Sequence, residues 1–522
     1  MRLGIDFGTT RIVAAAVDRG NYPVVSFETP DGSSAEWFPP WIAAAGDDFR
    51  FGWAAWERQQ EPGWTFLRSI KRSLSAAGPD TAVAAGGRQL PMSRLLAGLM
   101  AELRDALLHR SSLNPKAGEA LEVMLGTPAN ANTNQRFLTA DAFRAAGFEV
   151  LGLLNEPSAA SIEFGHRYRP LRERRRLLVY DFGGGTFDAS LVEMQESEHN
   201  VLASEGIPTL GGDDFDLLLA ELAFEVQGLG AAEWDSLSQA ETFRLLEECR
   251  ARKEALHPNT RKLLVDLDAV REGWGTAAVP VPDFYERCAP LIEETLHAVE
   301  DLLDAHQGRE LVDALYVTGG ASELPLVPRA LRERFGRRVK RSAHTRSATA
   351  IGLAIQADQQ SGYRLRERFA RHFGVWREAE DGRSVVFDAL FTKGTPLPAP
   401  GEPPLEIRRC YRPVHNVGHF RYLECGRRAE NGQPCGELTL WDEIRFPFDP
   451  ALRERPLDEV EVRRTEAASA QIVEEVYSCD ASAAVRVEIH NRTAGYSRAW
   501  RLARWAPPSA PIVPGRRRKS AR

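Results

Sequence analysis

A short apolar strand running into Asp-Phe-Gly and a threonine occurs twice in this chain, and no other feature constrains the fold as much. Leu3-Gly4-Ile5-Asp6-Phe7-Gly8-Thr9-Thr10 is followed by apolar Ile12 to Val17, and Leu177-Leu178-Val179-Tyr180-Asp181-Phe182-Gly183-Gly184-Gly185-Thr186 by Phe187 to Val192. The two aspartates lie 175 residues apart. Each copy reads as a β-hairpin with a glycine-threonine turn, and two copies predict two related lobes with a cleft between them. Helical periodicity alternates with strands around them, over Pro91 to Leu108, Asn134 to Ala146, Phe215 to His257, Pro282 to Ala305 and Val327 to Phe335, with a strand at Leu315 to Thr318. The first two-thirds, residues 1–358, is therefore α/β.

Residues 359–372 are polar and charge-rich and read as a linker. Beyond them come short alternating runs, Val385-Val386-Phe387, Val460-Glu461-Val462 and Val485 to Ile489, separated by turns such as Lys393-Gly394-Thr395-Pro396 and Asn431-Gly432. This predicts an all-β sandwich over 373–505. Residues 506–522, rich in proline, serine and basic side chains, read as a disordered, solvated tail.

The 522 residues suffice for roughly three to four globular units. A balance of 66 Lys and Arg against 73 Asp and Glu leaves a net charge of −7, which argues against general binding to nucleic acid or to an anionic membrane. Six cysteines without a C-x-x-C pair are too sparse for a disulfide framework and point to a reducing compartment. Asp6 stands where a signal peptide needs its apolar core, and no run of about 18 apolar residues occurs. A soluble cytoplasmic protein is expected.

The sequence has no G-x-x-x-x-G-K-[ST], H-E-x-x-H, G-x-S-x-G or kinase-type H-R-D. The hairpins remain as the chemical feature. Glycine lets backbone N–H groups approach phosphate oxygens, threonine adds a hydroxyl donor, and the preceding aspartate can hold hydrated Mg²⁺. Two such turns facing each other could clamp a nucleoside triphosphate.

These residues resemble the DnaK heat-shock chaperone family, whose ATPase belongs with actin and the sugar kinases. Asp6 to Thr10 is similar to its first phosphate loop, and Asp181 to Asp188 to its second. Asn155-Glu156-Pro157-Ser158-Ala159-Ala160, Leu210-Gly211-Gly212-Asp213-Asp214-Phe215-Asp216 and Val317-Thr318-Gly319-Gly320-Ala321-Ser322 follow in the family's order. Ile70-Lys71-Arg72 matches its catalytic-lysine segment, and Thr127-Pro128-Ala129 with Asn134-Gln135-Arg136 its proline-containing relay. The resemblance covers about residues 1–358; afterwards only strand pattern and position are similar to a peptide-binding β-sandwich.

The resemblance implies a two-lobed, actin-like ATPase domain that binds ATP or ADP with Mg²⁺. It makes Lys71, Glu156, Asp181 and Thr186 catalytic and places Asp6, Asp181 and Asp188 around the metal. Gly8, Thr9, Thr10, Gly183, Gly184, Gly185, Gly211, Gly212, Asp213, Lys253, Gly319, Gly320 and Ala321 would contact the nucleotide. On the adenosine side Lys253 matches one family contact, whereas Glu254 and Glu323 stand where arginines are common and His257 replaces a small hydroxyl residue. A carboxylate cannot stack on a base as a guanidinium does.

The implied function is a chaperone that couples slow ATP hydrolysis to binding of unfolded or extended polypeptide, served by J-domain and nucleotide-exchange co-chaperones. A nucleotide-sensing adaptor for one dedicated protein partner and a small-molecule kinase of the same superfamily are the alternatives. Only 33 residues follow Ile489, interrupted by Pro507, Pro508, Pro511 and Pro514, so the family's helical lid is not expected in this chain. Cys410, His415, His419, Cys425 and Cys435 could offer zinc ligands, but at spacings that fit no common zinc pattern; buried thiols and surface histidines are the plainer reading.

Overall fold

The computed structural model describes residues 1–502 apart from 79, 117, 169–173, 307–311, 381–382, 399–401 and 481–482. The tail expected over 506–522 lies outside the described residues. The chain forms two units, Met1–Arg371 with Lys393–Ala399, and His372–Thr392 with the chain from Pro400 onward.

The first unit contains the two lobes. In the first, strands are ordered Glu149–Asn155, Glu122–Thr127, Arg2–Phe7, Ile12–Ala16. In the second the order is Val339–Arg341, Ala314–Thr318, Arg175–Phe182, Phe187–Gln195, Glu198–Ile207, Arg364–Arg366. In both lobes the hairpin's first strand pairs in parallel with a neighbour that pairs in parallel with a further strand, the structural counterpart of the repeated sequence. Register places Phe7 opposite Ile12 in one hairpin and Phe182 opposite Phe187 in the other. The central strands are near-continuous apolar runs because helices cover both faces; Leu177, Leu178 and Val179 are fully buried.

Two helices, Glu156–Arg167 and Ala348–Ala357, cross where the lobes meet. A Cβ built at Gly352 would lie 1.8 Å from the Ala159 carbonyl oxygen, so only glycine permits this approach. The helical run read from Phe215 to His257 is divided into Gly212–Gln227, Ala231–Asp235 and Gln239–Glu254. Gly228 at φ +74° ends the first, and Ser238 caps the third by accepting from the Glu241 N–H at 3.2 Å.

The segment read as a linker is ordered over part of its length. Arg364–Arg366 adds a parallel strand beside Glu198–Asn200, with Leu365 buried between exposed Arg364 and Arg366. The loop from Lys393 also belongs with the first unit: the Phe369 N–H donates to Thr395 O at 2.9 Å, Gly394 N–H to Phe369 O at 2.8 Å, and Lys393 pairs with Glu205 at 2.7 Å. A single cut at residue 372 therefore does not separate the units, because backbone bonds tie this loop to the end of the linker.

The second unit is a pair of four-stranded antiparallel sheets. One is ordered Ser384–Phe391, His372–Ala379, Val417–Arg428, Pro434–Pro447, the other Leu405–Tyr411, Val473–Cys479, Val485–Asn491, Tyr496–Leu502. Aromatic rings fill its interior, with Phe373 stacked on Tyr422 at 5.9 Å. A buried ionic cluster sits among them. Arg377 grips Glu475 with two hydrogen bonds of 3.1 and 2.7 Å, Tyr411 and Tyr477 donate to the same carboxylate at 2.5 and 2.6 Å, and Asp388 receives Arg377 and Arg409. The six cysteines are free thiols, and among the described residues no group of His, Cys, Asp and Glu is placed to ligate zinc. Among the described residues, no helix is long and apolar enough to cross a membrane.

Candidate functional site

The repeated hairpins bring their turns face to face at one end of a cleft of about 820 Å³, open solvent included. Gly8, Thr9 and Thr10 line it from the first lobe; Gly183, Gly184 and Thr186 line it from the second. The turns are in close contact: a Cβ at Gly184 would stand 2.6 Å from Thr10 Oγ1, and one at Gly185 2.5 Å from Thr9 Oγ1. Gly185 and Gly211 serve this approach behind the cleft wall, Gly211 lying against the Gly184–Gly185 backbone. Gly212, Gly319, Gly320 and Ala321 line it beside the second turn, the Gly212 N–H donating to Gly183 O at 3.0 Å. Gly319 has φ +86° and leaves no room for a side chain beside Phe182 O at 2.3 Å.

Lys71 enters from the short helix Ile70–Ser73, aimed by an unusual residue before it. Ser69 holds a left-handed φ of 59°, and its hydroxyl donates to Asp213 Oδ2 at 2.5 Å. Asp213 itself is turned toward Ser69 and Arg68, which it pairs with at 3.2 Å, and does not line the cleft. The Lys71 ammonium donates to Glu156 Oε1 at 2.6 Å, and both side chains are buried. Glu156 opens its helix, so its position is set by the strand Glu149–Asn155 that precedes it.

Asp6 and Asp181 occupy equivalent places at the ends of the two hairpin strands, with Asp188 opposite Asp181 in register. Asp188 Oδ1 accepts from the Ala129 N–H at 3.0 Å. Burial, then the Glu156 charge, raises Asp6 to about 7 against the pull of Lys71, and the same two causes raise Asp188 to about 8. Asp181 is raised well above the carboxylate range by burial and by Glu156, Asp6 and Asp188. Burial disfavours charge on Lys71 too, but Glu156, Asp6 and Asp188 outweigh it and hold the ammonium above its ordinary value. The protein thus supplies too little positive charge for these carboxylates, and Asp6 Oδ1 is buried with no hydrogen-bond partner.

That excess suits a divalent cation. Asp6, with its unpartnered Oδ1, Asp181 and Asp188 fit the water shell of a hydrated ion such as Mg²⁺, which gives up its water reluctantly; among the described residues no three His, Cys, Asp or Glu side chains converge to ligate a metal directly.

At the far end of the cleft, Lys253 and Glu254 are joined by Arg11, Arg250 and Arg346, which sequence reasoning passed over. Glu254 Oε2 accepts from Arg11, in the first hairpin turn, and from Arg346 Nη1 at 3.1 Å; Arg346 also pairs with Glu323 at 2.6 Å. The two glutamates are therefore counter-ions of arginines brought from elsewhere. Burial opposes the Glu254 charge, yet Arg11, Arg346, Arg250 and Lys253 hold it down at about 2. Lys253 lines the cleft while donating to Gly212 O at 2.6 Å and pairing with Asp216 at 2.5 Å; His257 is exposed outside it. Arg11 stacks over Trp37 at 4.8 Å and Arg250 over Trp41 at 5.2 Å. These indoles belong to a cluster with Trp53, Trp56, Phe66 and Phe243 that joins the first lobe to the helix Gln239–Glu254 of the second. Arg11 directly after Thr10 was the one available signal.

Residues 74–369, more than half of the chain, match the family model described as Hsp70 protein. The chain is 32% identical over 370 residues to the chaperone protein HscA of Klebsiella pneumoniae (strain 342) and 33% identical over 373 residues to that of Salmonella arizonae. Each alignment covers 68% of this chain and 57% of the relative, so the chain spans little more than half the length of the curated relatives it matches. The chain belongs to the Hsp70 family, in agreement with the resemblance carried by its motifs.

Proposed function

We propose that the protein is an ATP-hydrolysing chaperone of the DnaK type, working in the reducing cytoplasm. In this reading the first unit binds and slowly hydrolyses Mg²⁺-ATP, and the β unit holds unfolded or extended polypeptide through backbone hydrogen bonds and a side-chain pocket. J-domain and nucleotide-exchange proteins, or one dedicated protein, are its partners. The observation that carries the proposal is the buried Lys71–Glu156 pair, set among surplus carboxylates beside two facing glycine-threonine turns.

Thr9, Thr10 and Thr186 donate hydroxyls to phosphate oxygens. Lys71 places a fixed positive charge where the γ-phosphate becomes more negative, and Glu156 orients the attacking water. Mg²⁺, when bound, neutralises phosphate charge. Asp6, Asp181 and Asp188 would hold it by accepting hydrogen bonds from its water shell. No residue here forms a covalent intermediate; positioning and electrostatics do the work, and slow turnover follows.

Hydrogen bonds within the first unit support coupling between the linker and this site. Glu367 of the linker accepts from Asn155 N and Nδ2 at 3.0 and 2.5 Å, next to Glu156. Arg136 bonds Asn155 Oδ1 at 3.0 Å and Thr127 Oγ1 at 3.1 Å, two residues from the Ala129 N–H that holds Asp188. Displacing the linker would release this chain at its Glu367 end.

Single-turnover hydrolysis tests the active-site assignment: Lys71→Ala should lose turnover and keep nucleotide binding, and a wild-type rate in that variant would overturn it. A peptide array with and without ATP tests the rest. Nucleotide-sensitive capture of many apolar peptides is expected, whereas a single partner would indicate the adaptor and polyol-dependent ATP consumption the kinase.

A further inference from the structure

His199 lies on the strand Glu198–Ile207, directly opposite Leu365 of the linker strand that forms the sheet edge, and is only 1% exposed. Its Nδ1 is 3.0 Å from Ser161 Oγ. That hydroxyl already donates its hydrogen to Ser158 O at 2.6 Å, so it must accept from His199, which fixes the proton of the neutral ring on Nδ1. Nε2 is then a bare lone pair, and it is buried without a hydrogen-bond partner. It faces the narrow space between Gly165 and Tyr363: a Cβ built at Gly165 would stand 2.8 Å from Nε2 and 3.4 Å from the Tyr363 ring. Tyr363 meets the imidazole edge-on at 5.5 Å and is the part of this cover that the linker supplies.

We propose that His199 is a proton-operated catch for the linker: the neutral ring lets residues 363–366 lie against the strand, and protonation drives them off. A proton on Nε2 would put a charged donor where no acceptor waits, and the nearest relief is water admitted by moving Tyr363 and Leu365 away.

The surroundings offer no compensating charge. Titratable side chains on the parts of these elements near the ring are Glu163, His166 and Arg167 of the helix, Glu193 of the adjoining strand, Glu198 of its own strand, and Tyr363, Arg364 and Arg366 of the linker. Farther along the same elements Glu156 pairs with Lys71, Asp188 accepts from Ala129, Glu205 pairs with Lys393, Glu367 accepts from Asn155 and Arg368 donates to Val201 O. Glu163 is taken by the Tyr316 hydroxyl, and His166 stands edge-on to Tyr22. Burial alone lowers His199 from 6.5 to about 4.

The docked form therefore binds fewer protons than the released one. Docking is at full strength above pH 6.5 and weakens as pH falls toward 4. With those two values the fraction of released linker rises about eightfold between pH 7 and 5.5.

Hydrogen exchange of the full-length protein, read by mass spectrometry on peptides spanning residues 364–369 and corrected for intrinsic pH dependence, tests this. Wild type should lose about eightfold protection on that step, while peptides from Arg175–Phe182 keep theirs. His199→Phe and His199→Asn should show pH-independent protection of the linker. Equal pH dependence in wild type and both variants, or none in wild type, would overturn the proposal. Should both variants fold poorly, the wild-type imidazole resonance decides: a midpoint well below 6.5 is required, and one at or above 6.5 refutes it.

Discussion

In the β unit, the Glu475 carboxylate receives two hydrogen bonds from Arg377 and one each from Tyr411 and Tyr477. In the cleft of the first unit, Asp6, Glu156, Asp181 and Asp188 share the ammonium of Lys71, and Asp6 Oδ1 has no partner at all. Glu475 in the one and Lys71, Glu156, Asp181 and Asp188 in the other are buried, where water solvates charge poorly. The first is satisfied by its own chain and therefore holds two sheets together. The second has more carboxylates than its one ammonium can balance, which raises their pKa values, costs stability and is the kind of imbalance a bound cation would relieve. Buried charge that is fully paired indicates architecture; buried charge of one sign, held beside flexible-backbone turns, indicates a ligand.

Exchanging the two behaviours is the way to break this comparison. The largest effect belongs to Lys71→Ala, which should slow single-turnover ATP hydrolysis by at least about 100-fold; Arg377→Leu should leave that rate unchanged. Stability should reverse the ranking. Arg377→Leu strands Glu475 and is expected to cost the β unit about 3–5 kcal/mol in urea unfolding, with much of it restored by also replacing Glu475 with leucine.

Asp181→Asn removes one surplus carboxylate and should raise the stability of nucleotide-free protein by about 0.5–2 kcal/mol while weakening Mg²⁺-ATP binding. A loss of stability there would remove the distinction between the clusters. The smallest effect is expected from acid. Burial opposes the Asp388 charge, but Arg409 and Arg377 prevail and hold it below its ordinary value. Its contribution is thus present above about pH 4 and lost as pH falls further, and Asp388→Asn should flatten the acid limb of β-unit unfolding.

Much of the cleft was legible from sequence because its parts are local: a hairpin turn needs glycine at fixed offsets, and Lys71 and Glu156 each sit in a short motif beside a strand or helix start. The far end was not. Glu254 meets Arg11 across 243 residues and Arg346 across 92, and nothing in the neighbourhood of a glutamate reveals a counter-ion that distant. Read alone, Glu254 and Glu323 suggested a site poor in guanidinium; folded, they are what holds Arg11 and Arg346 in place. The linker was obscured for another reason. Arg364-Leu365-Arg366 has the composition of a solvated spacer, and becomes a strand only because an unpaired edge at Glu198–Asn200 is there to receive it.

The aromatic cluster beside the cleft gives the molecule an optical property. Trp37, Trp41, Trp53 and Trp56 lie within 6.0 Å of a neighbouring indole, and Trp41 and Trp56 are stacked at 4.9 Å, close enough for their excited states to mix. Trp41 and Trp56 also touch Phe243, which the opposite lobe contributes. The indoles share one lobe, so opening of the lobes leaves their mutual coupling in place and moves Phe243 away from Trp41 and Trp56. Emission from these two tryptophans in the unlabelled protein is therefore expected to respond to how far the cleft is open.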